Sequence, residues 1–138
     1  MKRLCQSVFC IGFFCGFIAQ AQLAVTVSPP KVTGNKAVVA LGLKNGFSQS
    51  VESARATLFL LDKQGKMVGQ SAKWVIGGAE DKPGLAAGGT NTFNFVITAA
   101  HPLTTTKLTA KLQFSRVVMA GGKLADVKTG VQVKSGSQ

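Results

Sequence analysis

Residues 90–98 read Thr-Asn-Thr-Phe-Asn-Phe-Val-Ile-Thr, an order that a helix would scatter around its whole circumference. In an extended chain, Phe93, Phe95 and Ile97 fall on one side, and Thr92, Asn94 and Thr98 on the other. That period of two marks a half-buried strand. The same alternation returns along the chain after Ala21, and no helical period interrupts it.

Seven strands are predicted, at 23–28, 36–44, 54–61, 67–76, 90–98, 107–119 and 124–133. Leu23, Val25 and Val27 face inward in the first, and Ala37, Val39, Leu41 and Leu43 in the second. Leu108, Ala110, Leu112 and Phe114 do so in the sixth, and Val127, Thr129, Val131 and Val133 share a face of the seventh. Parity places Trp74 with Val68, Ala72 and Ile76 in the core, alongside Phe93, Phe95, Leu112 and Phe114. The breakers between strands are Pro29-Pro30, Asn45-Gly46, Asp62-Lys63-Gln64-Gly65, the five-glycine loop 77–89 and Ala120-Gly121-Gly122-Lys123. The short turn at 62–65 makes the third and fourth strands an antiparallel hairpin. Phase is lost at Ser115-Arg116, which predicts a bulge. Short strands at this spacing predict an all-β, immunoglobulin-like two-sheet antiparallel sandwich; a closed barrel is the alternative.

The first 21 residues are set apart from this pattern. Lys2 and Arg3 precede an apolar run from Val8 to Ala19, which ends in Ala19-Gln20-Ala21. A positive start, a short apolar stretch and a small-x-small ending predict a cleaved signal peptide, 1–21, ahead of a single domain, 22–138. The run falls short of the roughly 20 residues that span a bilayer. The expected location is therefore periplasmic or secreted. Cys5, Cys10 and Cys15 all lie within the segment expected to be removed, so disulfides, a zinc-thiolate site and a cysteine nucleophile are not expected in the mature domain.

The chain holds 16 basic residues, and without Lys2 and Arg3 the count is 14 against five acids, Glu52, Asp62, Glu80, Asp81 and Asp126. An excess of this size attracts polyanions, whether nucleic acid, acidic glycans or anionic surfaces. Lysine also keeps sheet edges apart, so charge alone does not separate a binding face from a solvated one.

Leu58-Phe59-Leu60-Leu61-Asp62-Lys63-Gln64-Gly65-Lys66-Met67-Val68-Gly69 resembles the central hairpin of FxLYD-type domains of exported bacterial proteins. Leu85-Ala86-Ala87-Gly88-Gly89-Thr90-Asn91-Thr92-Phe93-Asn94-Phe95 is similar to that family's loop leading into a Phe strand. Leu61 stands where the family usually carries Tyr. The resemblance implies an immunoglobulin-like sandwich outside the cytoplasm, and it brings no catalytic or binding residues with it.

Residues for chemistry are few. His101 is the sole histidine, and a hydrolase would need it paired with a serine and with Asp62, Asp81 or Asp126. No Gly-x-Ser-x-Gly elbow accompanies it. Glu80-Asp81 and Asp62–Gly65 lack the six to eight oxygens of a calcium site and read as turns. The 77–89 loop lacks a Gly-Lys-Ser/Thr ending and a following helix, so it is not a phosphate cradle. A non-catalytic domain without cofactor or metal is expected.

If strands three, six and seven share a sheet, one outer face collects Arg55, Phe59 and Leu61, Lys107 and Lys111, and Lys128, with no acid among them. That face is the expected binding site for an anionic polymer or an envelope protein. The alternatives are a structural or accessory domain without its own ligand, and a hydrolase using His101.

Overall fold

The computed structural model describes residues 22–103 and 107–135 of the 138. The predicted signal segment and its three cysteines lie outside the described residues. The fold is two packed β-sheets, as the alternation predicts, with eight strands among the described residues instead of seven. They are β1 (Leu23–Val27), β2 (Lys31–Thr33), β3 (Lys36–Asn45), β4 (Val51–Leu61), β5 (Met67–Ile76), β6 (Thr90–Thr98), β7 (Thr109–Met119) and β8 (Val131–Ser135). Pro29-Pro30 separates β1 from β2, because proline cannot supply a ladder donor.

In the larger sheet, β3 pairs with β6 along one side and with β1 and β2, end to end, along the other. β8 completes this sheet by pairing parallel to β1. The smaller sheet has the order β5-β4-β7, antiparallel throughout. The core lies between the sheets: Leu23, Val25, Val39, Leu41, Phe95 and Ile97 meet Leu58, Leu60, Phe114 and Val117, all buried. No helix among the described residues is long and apolar enough to cross a membrane.

Among the described residues one polar side chain is buried in this core, that of Asn45. Its Nδ2 donates to the carbonyls of Gln49 and Leu85, each at 2.9 Å, and its Oδ1 accepts the Phe47 N–H at 2.9 Å. Its backbone exchanges bonds with Gly88 and Gly89. A fully satisfied amide of this kind fixes two loops to the end of β3 without a desolvation cost left over.

Three expectations are corrected. The segment predicted as a strand from 124 to 133 is a strand only from Val131 onward. Before it, Asp126 builds a turn, its Oδ1 accepting the Lys128 N–H at 2.8 Å and its carbonyl the Gly130 N–H at 2.7 Å. That turn carries the chain away from β7 to the edge of β1, so β8 does not share a sheet with β4 and β7. Second, Trp74 is not in the core. Val68 and Val75 are extra residues at irregularities in β5, and each resets the period-two phase. Trp74 therefore points outward while Val75 and Ile76 are both buried. Third, Phe93 is only half-buried, meeting Phe95 edge-on with ring centres 5.2 Å apart.

Candidate functional site

β4 is the middle strand of the smaller sheet, so its outward side chains are flanked on both sides. Directly opposed residues of an antiparallel pair share a face, and the registers define four rows. Trp74, Arg55 and Arg116 form the first; Ala72, Thr57 and Gln113 the second. Gln70, Phe59 and Lys111 form the third, and Met67, Leu61 and Thr109 the fourth. Arg55, Arg116 and Lys111 are exposed, whereas Trp74, Phe59 and Leu61 are half-buried by their neighbours.

The first row exists because of two bulges, one on each neighbour of Arg55. On β5, the extra residue Val75 brings Trp74 opposite Arg55. On β7, the expected bulge leaves Ser115 without a partner on β4 and brings Arg116 opposite Arg55. Unbroken alternation from Phe114 would have sent Arg116 inward and Val117 outward. The bulge inverts this, and Val117 is fully buried. The Ser115 hydroxyl fastens the bulge to β4 by donating to the Arg55 carbonyl at 3.3 Å.

The electrostatics of the row are unbalanced. Arg55 and Arg116 are like charges set directly across the ladder, an arrangement that costs stability. One guanidinium is partly accommodated by an aromatic face, since Arg55 Cζ lies 5.7 Å from the Trp74 ring centre. Gly78, with φ of 86°, packs against that indole, where a Cβ would run into the side chain. Glu52 is the only acid in the three strands, and it does not intervene. Its Oε1 accepts the Gly121 N–H at 3.1 Å at the end of the sheet. A guanidinium pair beside an indole and an ammonium beside a phenyl ring, Lys111 next to Phe59, offer charge to an anion and π-surface to a planar or apolar group joined to it.

Of the six residues expected at the site, Arg55, Phe59, Leu61 and Lys111 are brought together. Lys107 lies just before β7 and is exposed at a cleft of about 470 Å³ shared with Lys63 and Pro29-Pro30, beyond the last row. Lys128 is not on the face; it sits in the Asp126 turn. Trp74 and Arg116 belong to the site although parity assigned neither to it. The phase loss at Ser115-Arg116 was the one signal available for Arg116. His101 is exposed in the connection after β6, and among the described residues no three His, Cys, Asp or Glu side chains gather where a metal would bind.

The outer face of the larger sheet is basic too, carrying Lys31, Lys36 and Lys44. There, however, Lys36 is opposite Thr98 and Thr33, and Lys44 opposite Thr90 and Ala24. No aromatic ring stands among those lysines on the registers, so the two faces differ in chemistry rather than in sign.

No known protein family matches this chain, and no curated protein does. Among solved structures, a Bordetella pertussis protein provisionally designated ApaA is similar, with a TM-score of 0.51 at 18% identity. The match covers 76% of this chain and 87% of that one. At that identity the likeness concerns the fold alone.

Proposed function

We propose that this protein is a non-catalytic exported interaction module, which binds an anionic polymer or an anionic envelope partner on the outer face of the β5-β4-β7 sheet. The observation that carries the proposal is the Trp74–Arg55–Arg116 row, held by a bulge on either side. Opposed arginines without an intervening acid are a standing repulsion, and a bound anion relieves it. The aromatic groups add stacking or van der Waals contact that lysines on the other sheet lack. The N-terminal apolar run ending at Ala21 and the resemblance to FxLYD-type exported domains support export.

Heparin affinity at rising salt tests the site. Arg55→Glu with Arg116→Glu is expected to abolish low-salt retention, whereas Lys36→Glu with Lys44→Glu, the same change in net charge, is expected to leave most of it. Equal losses in the two variants would reduce the effect to net charge and favour the structural, ligand-free alternative. Export is tested separately, by the intact mass of the protein from its host, which is expected to begin at Gln22.

A further inference from the structure

The smaller sheet ends at β7, and the larger sheet ends at β8. Beyond Val117, the far side of β7 is occupied: Val118 bridges Leu124, and the Ala125 N–H donates to the Val117 carbonyl. From Thr109 to Arg116, that side of β7 has no strand against it among the described residues. An edge strand directs every second N–H and C=O outward, so about eight residues, roughly 26 Å of strand, present an unpaired ladder. The chain segment that ordinarily follows a β7 hairpin has crossed to β1 instead.

The crossing leaves the sandwich open along this side. Val131 and Val133 oppose Leu23 and Val25 in register and so face the interior, yet Val133 is 39% exposed. With Leu112, Phe114 and Val127 they line an apolar groove of about 220 Å³ between β7 and β8. Lys128 lines it, and Lys111 and Arg116 lie on the outward side of the same β7 strand. Asp126, next to Val127 in the turn, does not line the groove; its carboxylate accepts the Lys128 N–H and keeps its charge.

We infer that this groove accepts an extended partner segment as an added strand along β7, with alternating apolar and acidic residues. Its main chain completes the β7 ladder, its apolar side chains cover Val131 and Val133, and its acidic side chains lie toward Lys111 and Arg116. A second copy of this chain is a poor occupant, because its own β7 and β8 edges carry the same positive charge. The inference rests on the β7 edge and the Val131–Val133 groove, which the polyanion site does not use, although both sites draw on Lys111 and Arg116.

The test uses a synthetic heptapeptide alternating Glu and Val, a lysine counterpart alternating Lys and Val, and a block-order peptide of the first one's composition. The alternating Glu peptide is expected to bind and to slow hydrogen exchange at alternate amides between 109 and 116. Val133→Glu is expected to weaken it about tenfold, the loss expected of a central apolar contact. Trp74→Ala should leave that affinity intact while reducing heparin retention, so the two sites are read apart. Equal binding of the block-order or lysine peptide would overturn the inference. So would unchanged affinity in Val133→Glu, or binding without protection of the β7 amides.

Discussion

Arg55 and Trp74 are register partners across β4 and β5, and the guanidinium carbon lies 5.7 Å from the centre of the indole ring. Trp74 is the only tryptophan of the chain, so its emission reports on this face alone. Heparin added at low salt is expected to change the intensity or wavelength of Trp74 fluorescence, and salt should reverse the change because exposed charges are screened beyond about 8 Å at physiological ionic strength. An unchanged spectrum under conditions where heparin binds would place the contact elsewhere.

Lys128 separates this face from a simple count of charges. It lies in the Asp126 turn and makes no row with Arg55 or Lys111. Lys128→Glu is expected to retain nearly all heparin affinity, and Lys111→Glu to lose much of it. Both should melt within about 0.5 kcal/mol of the parent, as surface substitutions usually do. Equal losses of affinity would dissolve the distinction.

Asn45 is expected to be the most sensitive polar position. Asn45→Ala removes three bonds at once, leaving the Gln49 carbonyl and the Phe47 N–H without their side-chain partner while the Leu85 carbonyl keeps the Val51 N–H. Losing these bonds at a buried position costs roughly 1–3 kcal/mol. Urea melts measure this, and a loss below about 0.5 kcal/mol, the level of an ordinary surface change, would mean that water replaces the amide.

Phe95→Ala tests the core. The side chain is fully buried between the sheets, and truncating a buried aromatic typically costs about 3–5 kcal/mol. A loss under about 1 kcal/mol in urea, far below that range, would show that the interior closes over the cavity.

Some of this protein was decided by order along the chain. Strict alternation at residues 36–44 and 90–98 specifies which side chains are buried, because a one-residue slip would turn every apolar group to water. Asp62 to Gly65 specify their own turn, since the Asp62 carboxylate accepts the Gln64 and Lys66 N–H groups locally. The bulge at Ser115 showed as a break in phase, and with it the outward direction of Arg55, Phe59, Leu61 and Lys111 was legible.

Tertiary structure alone decided the rest. Which edge a last strand joins depends on competing ladders distant in sequence, and here β1 offered Leu23 and Val25 as partners for Val131 and Val133. That choice removed Lys128 from the face and left the β7 edge open. Trp74 was misplaced for a related reason: the irregularities at Val68 and Val75 arise from pairing with β4, and no alternation within residues 67–76 records them. The Trp74–Arg55–Arg116 row is thus a product of registers between three strands, which parity within any one of them does not encode.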